Sequence, residues 1–219
     1  MSGPLAKKTG PGLALERLDT SCLGAFATLV CLYEQSFPEA ERKPVDWLRR
    51  MLATENYFLF LATEEGAPVG FAVARLLSGG STALLEYMAV AHAQRERGLG
   101  RQIVLGTAHA VQAPLRTLLL EVESDRVDSP DRVLRTRRKN FYRSLGAREM
   151  QGLRWIMPPV TGTPPPAMEM MIFGTENPVP RHQLRTWLTD IYVDVYDQSA
   201  DDPRIDSMLN SLPDEVRLI

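Results

Sequence analysis

The feature that most constrains the fold is a stretch in which an apolar run enters a glycine-containing turn and then a helix. Residues 83–90 form the apolar run, and Arg95-Glu96-Arg97-Gly98-Leu99-Gly100 follows it. From residue 100 to residue 111 the apolar side chains recur at helical spacing. Such a unit presents backbone N–H groups at a helix N-terminus, where phosphate is favoured. The spacing fits neither a P-loop, whose Lys and Ser/Thr are missing, nor G-x-G-x-x-G, whose first glycine is missing.

Patterns on both sides of this stretch predict a mixed sheet flanked by helices. One helical pattern begins after Thr20 or Ser21, a second begins at Pro44, and a third ends at Gly146. The link at residues 158–167 contains five prolines and predicts an irregular loop. Further strand-like runs occupy residues 11–19, 57–63, 69–77, 117–122, 154–157 and 168–173.

Composition excludes several classes of protein. The chain has 219 residues, of which 44% are hydrophobic and 24% charged, as is typical of a globular domain. A formal net charge of −2 argues against binding nucleic acid over the whole surface. No apolar run reaches the ~18 residues of a membrane span, and no secretory signal is visible, so we expect a cytoplasmic protein. Cys22 and Cys31 are expected to be reduced thiols, and His92 and His109 lack metal-ligand spacing, so no metal site is predicted.

The sequence from Val90 through the glycine turn resembles the acetyl-CoA signature of the GNAT acyltransferase superfamily. That signature is a strand ending in Val, followed by [Q/R]-x-x-G-x-[G/A] at the start of a helix. The resemblance continues through the Leu120-Glu121-Val122 strand and the Phe141-Tyr142 helix end, and it covers about three quarters of the chain. Three positions depart from the family pattern: Glu96 replaces a usual glycine, His92 replaces a frequent proline, and Arg135 replaces an Asn that the family often has. The resemblance implies a mostly antiparallel central sheet, splayed at the cofactor strand and flanked by helices.

The resemblance also implies how the chain would hold acetyl-CoA. Backbone N–H groups of Arg97, Gly98, Leu99 and Gly100 would receive the pyrophosphate, with Glu96 inside the same loop and help from Arg95 or Arg101. The pantetheine arm would pair with the backbone of Met88, Ala89 and Val90. An N–H exposed where the strands splay could donate to the thioester carbonyl as negative charge develops there.

Three carboxylates are candidates for the base that deprotonates an amine acceptor, whose pKa is near ~10. Glu121 matches the position of the base in the ribosomal-protein-modifying members of the family. Glu86 lies an even number of residues before Val90, so both side chains point to the same face of the strand. Glu123 shares the face of Glu121. A carboxylate inside an apolar strand is either functional or part of a structural ion pair, and the sequence leaves both alternatives open.

Tyr142 matches the family's usual general acid, which returns a proton to the departing thiolate; the alternative is an aromatic ring packed at a helix end. A basic cluster shortly before it has two interpretations as well. It is either a solvated helix face or a site for a CoA phosphate or an acidic partner. Its members are Arg132, Arg135, Arg137, Arg138 and Lys139.

We expect a flexible tail at residues 1–10, an acetyltransferase domain at 11–175 and a helical extension at 176–219. The extension carries an amphipathic stripe with three alternatives: packing on its own domain, a homodimer contact, or a wall of the substrate site. The stripe comprises Leu184, Trp187, Leu188, Ile191, Tyr192, Val195 and Tyr196.

The leading hypothesis is an N-acetyltransferase that moves an acetyl group from acetyl-CoA to a primary amine of a small molecule or peptide. Transfer would occur by direct attack in a ternary complex. The alternative is a catalytically silent acyl-CoA-binding module that acts through a protein partner. That alternative keeps the glycine loop but needs neither Glu121 nor Tyr142.

Overall fold

The computed structural model describes residues 7–8, 12–111, 117–160, 164–175 and 177–219. The chain divides into two compact units, the first comprising Met1–Leu76 with Leu85–Leu115 and the second comprising Leu77–Leu84 with Arg116–Ile219. The strands are β1 Lys7–Lys8, β2 Leu13–Arg17, β3 Tyr57–Glu64, β4 Ala67–Leu76, β5 Thr82–Val90, β6 Thr117–Glu123, β7 Arg148–Glu149, β8 Met168–Phe173, β9 Val179–Pro180 and β10 Glu215–Val216. The α-helices are α1 Leu23–Ser36, α2 Val45–Leu52, α3 Leu99–Val111, α4 Arg132–Ser144, α5 Arg181–Asp190 and α6 Pro203–Leu209.

The first unit is an antiparallel meander, with β1, β2, β3 and β4 paired in chain order. Residues of one sheet face, among them Leu59 and Phe71, pack with Phe26 and Leu29 of α1 in a continuous apolar core. Alternate strand residues point the other way, and there Gly70 of β4 lies against Ile103 of α3. Helices therefore cover both faces of this sheet.

The second unit pairs β6 with β8 and β8 with β7, both antiparallel. Its core is filled largely by the chain beyond residue 180. All seven residues of the predicted amphipathic stripe are buried there, together with Leu119, Met170 and Ile172 of the strands. Of the three alternatives for the stripe, the structure therefore supports packing on its own unit.

The mixed, mostly antiparallel sheet with flanking helices confirms the predicted fold class. The predicted strand at residues 154–157 is wrong, because side chains rather than a neighbouring strand bond this backbone. The Ile156 N–H donates to Met208 Sδ at 3.2 Å, and the Tyr192 hydroxyl donates to the Ile156 carbonyl. The stripe is also not one regular helix, because α5 ends at Asp190 and a π-helical turn, Ile191–Val195, continues it.

Most of the predicted tail at residues 1–10, and residues 161–163 of the proline-rich link, lie outside the described residues. Within the described part of the chain, no helix combines the length and apolar character that a membrane crossing requires.

Candidate active site

The glycine turn connects β5 to α3 in the first unit. β5 ends at Val90, a short 3₁₀ turn occupies His92–Gln94, and α3 begins at Leu99. The Gly98 carbonyl accepts from the Gln102 N–H at 3.4 Å, which marks the start of the helical hydrogen bonds. The N–H groups of the first helical turn precede that bond and have no acceptor within the helix. This turn thus presents donors suited to an anion.

Two residues of the turn adopt left-handed backbone conformations. Gly98 has φ +76°, and a Cβ built on it would meet nothing within 4 Å. Glu96 has φ 66°, in a region that disfavours side chains by about 1 kcal/mol or more. This conformation favours glycine at the position of Glu96. It also shows that Gly98 is required by backbone geometry rather than by crowding.

The three arginines of the turn differ in their contacts. Arg97 pairs with Glu64 of β3, Nη2 to Oε2 at 2.8 Å, and also contacts Gln94. Arg95 Nε donates to the Val90 carbonyl at 3.4 Å, while its side chain remains largely exposed. Arg101 is exposed on the first turn of α3. Arg95 and Arg101 are therefore better placed than Arg97 to reach an added phosphate.

Gly70 of β4 is a residue of this region that the sequence analysis missed. A Cβ there would lie 2.5 Å from the Ala89 carbonyl oxygen and 2.8 Å from Ile103 Cδ1. Nearby, the Ala91 N–H donates to the Val69 carbonyl at 2.9 Å. Only glycine allows β4, the end of β5 and α3 to approach this closely. A glycine inside an otherwise apolar strand was the available signal.

Exposure rises along β5 toward the turn. Residues up to Leu85 are buried, whereas Met88, Ala89 and Val90 are half-buried. An accessible strand end that leads into a turn with left-handed residues, N-terminal helix donors and exposed arginines fits an extended, phosphate-bearing ligand such as acetyl-CoA. Within the described chain, no cluster of three or more His, Cys, Asp or Glu side chains could hold a metal ion.

Glu86 is held in a buried ion pair of the first unit. Lys43 Nζ lies 2.5 Å from Glu86 Oε1, with side chains only 2% and 4% exposed. The Tyr57 hydroxyl donates to Oε2 at 3.2 Å, and the Trp47 ring lies 4.9 Å from Lys43 Nζ. The structural alternative that the sequence left open describes Glu86 well, because its carboxylate already compensates a buried ammonium group.

Glu121 and Glu123 lie on β6 in the second unit, and their surroundings differ. Glu123 pairs with Arg135 at 3.0 Å and with Arg138 at 2.7 Å. Glu121 is half-buried, and its Oε2 accepts a hydrogen bond of 2.8 Å from the Tyr196 hydroxyl. Glu123 therefore has a structural role, because its ion pairs join β6 to α4. Glu121 instead contacts a neutral phenol.

Tyr142 lies near the end of α4 in the second unit and is 9% exposed. Burial raises its pKa to about 12, and the positive charge of Arg138 only partly opposes that rise. The phenol consequently stays protonated at neutral pH, as a proton donor must.

The basic cluster of α4 is divided, because Arg135 and Lys139 are buried whereas Arg132, Arg137 and Arg138 are exposed. Lys139 is 1% exposed and pairs with Asp125 at 2.8 Å, Glu149 at 3.1 Å and Glu169 at 2.5 Å. Arg135 is also buried, beside Glu123. Helix α4 is thus attached to β6, β7 and β8 by ion pairs.

Comparisons with known proteins point to one family. The family model described as acetyltransferase (GNAT) family matches residues 26–146. No curated protein matches the sequence.

Several solved structures share the fold. A GNAT-family protein from Bacteroides thetaiotaomicron is 21% identical, with a TM-score of 0.70 over 84% of this chain and 99% of its own. The ribosomal-protein-S18-alanine N-acetyltransferase from Escherichia coli is also 21% identical, with a TM-score of 0.52 over 75% of this chain and 95% of its own. Arabidopsis thaliana NAA60 in complex with acetyl-CoA is 12% identical, with a TM-score of 0.55 over 74% of this chain and 97% of its own. At these identities the likeness shows the fold.

Proposed function

Because the chain belongs to the acetyltransferase (GNAT) family, we propose that it is an acetyl-CoA-dependent N-acyltransferase that acetylates a primary amine of a small molecule or peptide. The observation that carries the proposal is the turn after β5, where left-handed Glu96 and Gly98 precede the N-terminal donors of α3. That geometry supports binding of a pyrophosphate, and the half-buried strand end from Met88 to Val90 supports pairing with an extended pantetheine arm.

Acetyl-CoA, when bound, supplies a thioester whose carbonyl carbon can accept the lone pair of an amine. In the proposed mechanism, Glu121 first takes a proton from the ammonium form of the acceptor. Tyr142 then gives a proton to the departing sulfur and is reprotonated from the acceptor nitrogen. A C–N bond forms and a C–S bond breaks. Of the two protons that the ammonium group loses, one ends on sulfur and one in solvent.

We assign the base to Glu121 in preference to Glu86 and Glu123. Protonating Glu86 or Glu123 would remove the negative charge that pairs with Lys43 or with two arginines. Glu121 instead receives a hydrogen bond from a phenol, which orients the carboxylate. Tyr142 is assigned as the acid because its phenol carries a proton at neutral pH and because it lies within the part of the chain that the family model matches.

The first experiment tests cofactor binding by thermal unfolding with acetyl-CoA, comparing wild type with Gly98→Glu and Gly66→Glu. Gly66 lies between β3 and β4, has φ +81° and, like Gly98, has nothing within 4 Å of an added Cβ. Both substitutions therefore cause similar backbone strain, but only Gly98→Glu adds a negative charge to the proposed pyrophosphate site. At ~100 times its dissociation constant, acetyl-CoA should stabilise wild type and Gly66→Glu by ~2.7 kcal/mol. Gly98→Glu should lose this gain.

The second experiment measures release of the CoA thiol with spermidine, a lysine peptide and a peptide with a free N-terminal alanine. At least one amine should be acetylated by the wild type. Glu121→Gln should lower turnover about a hundredfold with little change in acetyl-CoA affinity, and Tyr142→Phe should act in the same direction. Stabilisation by acetyl-CoA without transfer to any amine would favour the silent acyl-CoA-binding module.

A further inference from the structure

Tyr196 joins the C-terminal segment of the second unit to Glu121. Its hydroxyl donates to Glu121 Oε2 at 2.8 Å across 75 positions of sequence. Tyr196 lies well beyond residue 146, where the match to the family model ends. This contact is therefore built by a part of the chain that the family match does not include.

We propose that Tyr196 is a positioning residue, which orients the Glu121 carboxylate so that it can take a proton from the acceptor amine. The inference rests on the proposed function, in which Glu121 is the base. Tyr196 contacts the base and is not assigned a contact with acetyl-CoA or with the amine, so it is not a catalytic residue. Its role is to limit the directions that the carboxylate can adopt.

The backbone around Tyr196 is held firmly enough for this task. The π-helical turn, Ile191–Val195, ends with the Tyr196 N–H donating to the Ile191 carbonyl at 3.2 Å. Next, Gln198 contacts the turn twice, through its N–H to the Tyr192 carbonyl at 2.8 Å and through Nε2 to the Tyr196 carbonyl at 2.7 Å. A π-helical turn inserts a residue into a helix and is frequent at functional sites. Here the distortion coincides with the residue that contacts the proposed base.

Burial strengthens the contact. Tyr196 is 8% exposed, Glu121 is half-buried, and a hydrogen bond shielded from water is stronger than an exposed one. Two other residues near Glu121 are an uncharged methionine and a second tyrosine. Met170, opposite Glu121 on β8, carries no charge. Burial raises the pKa of Tyr192 to about 12, and the negative charges of Asp202 and Glu121 add to that rise while Arg204 opposes it.

A phenol that donates to a carboxylate stabilises the ionised form, which is the form that accepts a proton. Tyr196→Phe removes only the hydroxyl and leaves the buried ring. The change should lower kcat about tenfold without altering KM for acetyl-CoA, since a hydrogen bond to a charged group is lost. The acid limb of the pH–rate profile should also move to higher pH.

The matched control is Tyr192→Phe, in the same turn. Tyr192 is also buried, and its hydroxyl donates to the Ile156 carbonyl rather than to a carboxylate. Loss of that bond should lower the melting temperature while leaving the acid limb where it is in the wild type. An equal shift of the acid limb in both variants would overturn the inference, because it would indicate a general effect of weakened packing.

A second readout does not depend on turnover. The Glu121 side-chain carboxyl carbon, assigned by its absence in Glu121→Gln, is followed by ¹³C NMR as pH is varied. Its pKa should be higher in Tyr196→Phe than in the wild type and unchanged in Tyr192→Phe. If Tyr196→Phe fails to fold, the Tyr196 ring carbon that bears the hydroxyl is titrated instead. The pKa of that phenol should then fall in Glu121→Gln, because a neighbouring negative charge has been removed.

The outcomes separate the inference from the proposed function. An active enzyme in which Tyr196→Phe changes neither the acid limb nor the Glu121 titration overturns the inference alone. A wild type that transfers no acetyl group to any amine overturns the proposed function and the base role of Glu121 with it.

Discussion

At the scale of single residues, the ion pair of Lys43 and Glu86 allows a sharp test of which carboxylate is the base. Glu86→Gln should lower the free energy of unfolding by about 3 kcal/mol, because it leaves the buried Lys43 ammonium without that carboxylate. The double variant Lys43→Met, Glu86→Gln should recover most of that loss, since neither charge remains. Urea unfolding of both variants measures the difference.

Turnover of the double variant tests the base assignment. Because Glu121 is the proposed base, a stable Lys43→Met, Glu86→Gln protein should keep its acetylation rate within about threefold of wild type. A folded double variant without activity would return the base role to Glu86.

The sequence was enough to identify Glu86 and Glu121 as carboxylates in apolar strands. It could not assign their partners, since Lys43 lies 43 residues from Glu86, and Tyr196 lies 75 residues from Glu121.

At the scale of elements, the turn between β5 and α3 predicts opposite effects at neighbouring positions. Glu96→Gly should raise the free energy of unfolding by up to about 1 kcal/mol, because φ 66° then costs little. Gly98→Ala should lower it by about 1 kcal/mol through backbone strain alone, since nothing lies within 4 Å of the added Cβ. Thermal and urea unfolding measure both. Destabilisation by Glu96→Gly would show that the Glu96 side chain, rather than its backbone conformation, matters to the turn.

Some boundaries of these elements can be predicted from one short stretch of sequence, whereas other features depend on packing. The end of β5 at Val90 and the start of α3 at Leu99 were predictable to within a residue, because the apolar run and the glycines specify them within one short stretch. The π-helical turn at Ile191–Val195 was not predictable, since its residues keep helical spacing and its phase depends on packing. The backbone at residues 154–157 resembles a strand in composition but finds its hydrogen-bond partners in Met208 and Tyr192.

At the scale of the whole molecule, stability depends on distant charges as well as on apolar packing. Lys139 of α4 contacts Asp125 after β6, Glu149 of β7 and Glu169 of β8. In sequence Lys139 belongs to the basic cluster, which had two interpretations, a solvated helix face or a site for a CoA phosphate or an acidic partner. The grouping of these charges follows from the fold, which brings carboxylates from three other segments of the second unit to one buried ammonium group.

This network predicts how stability depends on pH. Burial alone would raise the pKa of Asp125 and of Glu149, but the hydrogen bonds and charge of Lys139 outweigh it and hold both below their ordinary values of 3.8 and 4.5. Carboxyl groups with lowered pKa values stabilise the fold fully above those ordinary values and progressively less as pH falls through the folded values. For Lys139, burial lowers the pKa but the three carboxylates raise it above 10.5, so its contribution is lost only at higher pH. The free energy of unfolding should therefore fall steeply below about pH 4.5.

Urea unfolding between about pH 3 and pH 8 tests this dependence. The free energy of unfolding should decline less steeply at acid pH in Asp125→Asn than in wild type. The control Asp128→Asn removes an exposed carboxylate outside the network and should follow the wild type. Equal acid slopes in wild type and Asp125→Asn would contradict the prediction, because the acid sensitivity would then arise elsewhere.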